Sequence, residues 1–228
     1  VLALLPESLR SPVRARRGPL LPPGSPYAPS YYIQREADRR AWSYAEVNAP
    51  IWIHSGWRMG ASWFTTHLLH RMSNAAKLNE RTFTVIPVDL HTLGLTPESS
   101  GDEFVTQMAF TIARHVGGDP ERMRPAGQLL WSLRLTYWME TEVLPRAGDG
   151  AVLALDHFEA LAGHPIERDV CHVLRRWVDQ RSLLPLWSRL QPIIVSTFSP
   201  ATTTLGQSVH ISPIATPAIQ LEDFTSGE

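Results

Sequence analysis

The run Ala151-Val152-Leu153-Ala154-Leu155-Asp156, apolar until its closing carboxylate, sets the strictest limit on how this 228-residue chain folds. A strand with one wet face alternates apolar and polar residues, whereas a continuous apolar run has to be covered on both faces. That condition is met inside a parallel sheet flanked by helices. Gln191-Pro192-Ile193-Ile194-Val195-Ser196 repeats the pattern. Ile51-Trp52-Ile53 is a shorter apolar strand, and residues 82–89 form a β-branched one. Pro87 within the latter marks an edge strand or an early strand end, because proline cannot donate to a ladder.

Helical patterns fill the intervals. Residues 35–47 form a helix that Asn48-Ala49-Pro50 stops. Another begins at Ala61-Ser62 and carries Trp63, Phe64, Leu68, Leu69 and Met72. Residues 102–116 place Phe104, Val105, Met108, Ala109, Ile112 and Ala113 on one face, with Asp102 as the cap and Gly117-Gly118-Asp119-Pro120 as the stop. A longer amphipathic helix is expected over 125–143, with Leu129, Leu130, Leu133, Leu135, Trp138 and Met139 on its apolar side. Residues 168–181 form a further helix, and 184–190 a short tryptophan-bearing segment. The order β-α-β-α-α-β-α-β specifies an α/β fold: a three-layer α/β/α domain with a mainly parallel sheet and right-handed crossovers. No internal repeat is present. From Ser199 the sequence reads as loop, and residues 219–225 begin a further element.

Composition removes several function classes. With 43% hydrophobic residues and a net charge of −1, the chain can bury a large core and carries no global signature of nucleic-acid or anionic-membrane binding. The single Cys171 excludes an intrachain disulfide framework, fits a packed thiol and suits a reducing cytoplasm. No apolar run reaches the length of a membrane span. Of the nine histidines, only His67 and His70 lie at metal-ligand spacing, and without a nearby carboxylate or cysteine they read as ordinary helix residues. Residues 1–30 form a basic, proline-rich arm that cannot build a core; a solvated linker fits it better than an anion-binding arm. The remaining domain spans 31–228. The absence of an initiator methionine leads us to expect a piece of a longer protein.

Residues 50–72 carry the chemistry. His54-Ser55-Gly56-Trp57-Arg58-Met59-Gly60 is a glycine-containing loop between a strand and a helix. A phosphate-binding loop has the form G-x-x-x-x-G-K-[ST]. Gly60 and Ser62 fall at the second glycine and the hydroxyl. Ser55 stands at the first glycine, with Gly56 one place late, and Ala61 replaces the lysine. Such a loop offers backbone N–H groups and a helix N-terminus to phosphates even without lysine. The Ser62 hydroxyl is a candidate magnesium ligand. Asp156, ending its buried strand, is the matching carboxylate for the magnesium shell. Ser196 or Thr197, ending the next strand, is placed to sense a γ-phosphate or position water. These positions share one edge of the expected sheet, where α/β proteins bind ligands.

Two positions argue against hydrolysis. Alanine at 61 cannot offset phosphate charge as lysine does. His157 follows Asp156 where a hydrolytic enzyme of this type has a glutamate; histidine is a base in principle, and Glu159 is expected to point elsewhere. Arg58 can reach the phosphates as a surrogate cation or face solvent.

Taken together, these motifs resemble the AAA-like domain of the STAND class of P-loop NTPases, found mainly in bacterial signalling and conflict proteins. The resemblance runs from about residue 18 to 225. It rests on Leu21-Pro22-Pro23-Gly24 leading to Tyr32-Ile33-Gln34-Arg35, on Met59-Gly60 within the loop, and on Leu153-Ala154-Leu155-Asp156-His157, similar to the family's Leu-Ala-Leu-Asp-Glu. Ile194-Val195-Ser196-Thr197 and Gln220-Leu221-Glu222-Asp223-Phe224-Thr225 complete it. It implies a nucleotide-controlled switch joined to effector or repeat modules. Nucleotide-binding positions would be Gly56, Trp57, Arg58, Met59, Gly60, Ala61, Ser62, Trp63, Asp156 and Ser196, with Tyr32 and Arg35 near the base. ATP or ADP with magnesium on Ser62 and Asp156 is the implied cofactor, although a chain that holds none also fits.

The leading expectation is a degenerate, non-hydrolysing P-loop domain acting as a regulatory or scaffold module, with protein partners, its own effector modules or an oligomer as what it engages. Eight tryptophans suit either a core or an interface, with the core favoured. A working ATP-binding switch or weak ATPase is the alternative. Nucleic-acid binding through the basic arm comes third, and no membrane is expected.

Overall fold

A computed structural model describes residues 27–56, 59–123, 129–197 and 218–222. The chain divides into two units after Tyr32. Within the first, Pro29–Tyr31 make one 3-10 turn, and the rings of Tyr27 and Tyr32 meet edge-on with centroids 6.1 Å apart.

The second unit holds a five-stranded sheet: β1 (Ile51–Ser55), β2 (Phe83–Asp89), β3 (Gly150–Asp156), β4 (Leu190–Ser196) and β5 (Ile219–Leu221). Their order across the sheet is β2-β3-β4-β1-β5, and every pairing is parallel. The tail residues expected to begin an element thus supply β5, which pairs with β1. β2 is an edge strand, and its exposed Pro87 interrupts neither the strand nor the register with β3.

Alternation along the strands sorts side chains to two cores. Ile51, Ile53, Val152, Ala154, Ile193 and Val195 join Phe64, Leu68 and Met72 of α2 (Ala61–Leu78) and Ala37 and Ala41 of α1 (Glu36–Glu46). Trp52, Leu153, Leu155 and Ile194 face the other way. They meet α3 (Gly101–Val116), α4 (Trp131–Trp138) and α5 (Glu167–Gln180) in the larger cluster. This is the three-layer α/β/α arrangement, with both faces of β3 and β4 covered as their sequences require.

Tryptophan fills much of the larger core. Trp52, Trp138, Trp177 and Trp187 are buried. Each indole N–H is satisfied: by Ser196 Oγ (3.2 Å), the Asp119 carbonyl (3.1 Å), Thr136 Oγ1 (3.0 Å) and Glu140 Oε1 (2.7 Å) respectively. A buried indole keeps its packing gain only when that donor finds a partner.

Two expectations change. Ser100, not Asp102, caps α3: its hydroxyl accepts from the Glu103 N–H while the Glu103 carboxylate accepts from the Ser100 N–H. That reciprocal capping box satisfies two otherwise orphaned donors, and Asp102 instead pairs with the buried Arg134. The helix expected over 125–143 begins, among the described residues, at Trp131, and after Trp138 it widens into a π-helical turn, Met139–Val143. Leu130, Leu133 and Tyr137 lie on its exposed side, so the buried face is set by Leu135, Trp138, Met139 and the paired Arg134. Cys171 is buried in α5, and burial, assisted by Glu167, pushes its thiol up to about 12. Among the described residues no helix is long and apolar enough to cross a membrane.

Candidate functional site

The C-terminal ends of β1, β2, β3 and β4 converge on one edge of the sheet, with the N-terminus of α2 beside them. After Ser55 the chain turns through Gly56, whose carbonyl accepts from the Met59 N–H at 3.2 Å. Gly60 then adopts φ +78°, a left-handed conformation that side chains disfavour, and starts α2. A Cβ there would stand 3.1 Å from Arg35 Nη2, and Arg35 Nη1 donates to the Met59 carbonyl at 2.9 Å. A guanidinium is therefore held against the loop. No side chain among the described residues caps α2, so its first turn presents backbone donors and the positive end of the helix dipole.

Asp156 shares the α2 side of β3 with Val152 and Ala154. Its carboxylate accepts the His157 N–H at 2.9 Å, and the Ser62 hydroxyl at the start of α2 lies near enough to act on it. Burial pushes Asp156 above the usual carboxylate range and Asp89 adds to this, while His157 and Ser62 partly oppose it. Asp89 ends β2 and stands in register with Asp156 on the neighbouring strand. His157 has φ +56°, and its Nδ1 lies 2.9 Å from Asp89 Oδ1 and 4.0 Å from Asp156 Oδ1. Burial lowers the His157 pKa, but Asp156 and Asp89 outweigh it and the net shift is upward.

The structure thus brings together Ser62 with Asp156, and Arg35 with Met59 and Gly60. Ala61 packs partly buried against the α1–α2 core, and Trp63 lies in the first turn of α2. Ser196 is buried on the opposite side of the sheet, where its hydroxyl meets the Trp52 indole. Thr197, one residue on, is exposed and donates its backbone N–H to Glu159 Oε2 at 3.1 Å. Glu159, expected to point elsewhere, therefore tethers the end of β4. Tyr32 belongs to the first unit, and Trp57 and Arg58 lie outside the described residues. The sequence reading missed Asp89 and His91. Asp89 carries the same signal as Asp156, a carboxylate closing an apolar strand, whereas the approach of His91 to His157 depends on strand order.

No curated protein sequence matches the chain. Several solved structures share its fold. The ORC1 protein of Aeropyrum pernix, in complex with DNA, aligns with a TM-score of 0.54 at 17% identity, over 86% of this chain and 48% of that one. The ORC2 protein of the same organism, in ADPNP-ADP complexes, aligns with a TM-score of 0.55 at 14% identity, over 81% and 45%. A Walker-type ATPase of Pyrococcus abyssi aligns with a TM-score of 0.52 at 16% identity, over 85% and 54%. The chain spans about half the length of these proteins, and at such identities the likeness establishes the fold. The family model of the AAA-like domain matches residues 23–228, nearly the whole chain, and the chain belongs to that family.

Proposed function

We propose that this chain is a nucleotide-binding regulatory domain that holds ATP or ADP with magnesium and turns it over slowly or not at all. The observation that carries the reading is the placing of Asp156, at the end of β3 and on the α2 side of the sheet, beside Ser62 at the uncapped start of α2. Both are hard oxygen donors of the kind magnesium takes. The α2 N-terminus suits phosphate oxygens. Arg35, anchored to the Met59 carbonyl, supplies a cation beside the loop, where Ala61 supplies none.

Bound magnesium would offset phosphate charge. The chain's own residues would orient it through Ser62 and Asp156, and the phosphates through the α2 backbone. Poor hydrolysis follows from the residues at the two catalytic positions. Ala61 has no charge for the β- and γ-phosphates. His157 stands at the glutamate position and is drawn to Asp89, away from a water-activating role. A STAND-type switch, in which bound nucleotide sets the contacts made by attached effector or repeat modules, is the physiological reading we favour. Calorimetry with magnesium and ATP, paired with a phosphate-release assay, tests it: the reading predicts saturable binding with phosphate release near background. Rapid magnesium-dependent release removes the regulatory assignment, and absent binding removes the nucleotide.

A further inference from the structure

The fold gathers a second set of chemistry-bearing side chains that the nucleotide reading leaves unused. Asp89 ends β2, His91 follows two residues later, and His157 follows β3. One ligand atom from each lies within 4.8 Å of the other two. The two imidazole rings stack with centroids 4.3 Å apart and planes inclined by 21°. Asp89 Oδ1 organises both: it lies 2.9 Å from His157 Nδ1 and accepts the His91 backbone N–H at 3.0 Å.

We propose that Asp89, His91 and His157 form a binding site for a divalent transition metal, with zinc as its simplest occupant. Two imidazoles and a carboxylate are donors suited to zinc rather than magnesium. Three protein ligands with an open position form a familiar zinc arrangement, and the ligand atoms need close only to about 3.3 Å of one another for tetrahedral bonding. The Asp89 and His157 side chains are 40% and 34% exposed, and His91 is exposed, so an ion can enter and the rings can turn. The surroundings are anionic: Asp156, Asp89 and Glu159 all act electrostatically on His157. The packing of the core gains little from an exposed ring pressed on a half-buried one, whereas a shared ion gives that approach a purpose.

The site is tested on untagged, nucleotide-free protein, titrated with zinc chloride by calorimetry and with cobalt chloride by visible absorption. One zinc per chain is expected, together with the cobalt bands of a low-coordinate nitrogen–oxygen site. His91→Ala should weaken zinc binding by about tenfold or more, while leaving the metal-free melting temperature and the affinity for magnesium–ATP unchanged. His157→Ala should weaken zinc binding similarly. The double variant His67→Ala, His70→Ala should bind zinc as wild type does. Absent zinc binding, or binding indifferent to both His91→Ala and His157→Ala, overturns the proposal. Because nucleotide is left out, that result does not bear on the magnesium–nucleotide reading.

Discussion

The two ends of the central sheet are made by the same strands and finished in opposite ways. Where the strands begin, polar side chains are tied to backbone groups. Gln191 Nε2 donates to the Ala49 carbonyl at 2.6 Å, and Asn48 Nδ2 to the Ser188 carbonyl at 2.6 Å. The Asp149 carboxylate accepts from the Thr82 N–H at 2.8 Å and the Thr82 hydroxyl at 3.0 Å. Where the strands finish, Asp89 stands in register with Asp156, two imidazoles stack beside them, and α2 starts without a side-chain cap among the described residues. The first arrangement pairs polar side chains with backbone groups and stabilises the fold. The second crowds like charge and holds Asp156 ionised only against the cost of burial. Polar residues at the first end serve the fold, and those at the second are the ones we propose serve a ligand.

Substitutions at the two ends should therefore differ in sign. The largest loss is expected for Gln191→Ala, which leaves a void in the sheet and strips the Ala49 carbonyl of its donor, at a cost of about 2–4 kcal/mol in denaturant unfolding. Next comes Gly148→Ala. Gly148 has φ +69°, and a Cβ there would lie 2.3 Å from Thr82 Oγ1 and 3.0 Å from the Thr82 carbonyl. The combined strain should cost about 2 kcal/mol. Asn48→Ala, losing one hydrogen bond, should cost about 1 kcal/mol. At the opposite end, Asp156→Asn should raise the melting temperature at pH 7 rather than lower it. The sign follows from linkage: a carboxyl whose folded pKa is raised binds more protons folded than unfolded, so its contribution to stability falls as pH rises from the unfolded carboxylate range through the folded pKa. The advantage of Asp156→Asn over wild type should accordingly grow across that window and level off above it. A destabilised Asp156→Asn would remove the contrast between the two ends.

What the sequence reveals about this architecture depends on how local each signal is. The run ending in Asp156 has to be covered on both faces whatever its neighbours are, so β3, its parallel partners and the helix–sheet–helix layering follow from it. Ser62 and Asp156 are found because each sits at a fixed place relative to its own element. The Ser100–Glu103 box is equally local, yet the adjacent Asp102 draws attention from it, and only the pairing of Asp102 with Arg134 across elements shows its other task. Of the helix expected over 125–143, residues 125–128 lie outside the described residues, 131–143 is helical, and only Leu129 and Leu130 are overdrawn, because apolar residues can stand exposed outside an element as well as on its buried face. The trio Asp89, His91 and His157 lies beyond local reading, since 66 residues separate the two histidines (157 less 91) and only the β2–β3 pairing unites them.

The most direct test of the contrast is titration of the protein with ATP by calorimetry, with and without magnesium, in wild type and in Asp156→Ala. A finished C-terminal edge that serves a ligand predicts saturable binding in wild type, strengthened by magnesium, and loss of that magnesium dependence in Asp156→Ala with the fold intact. Wild-type protein that takes up no heat of binding, or binds equally with and without magnesium and with Asp156 replaced, would contradict it.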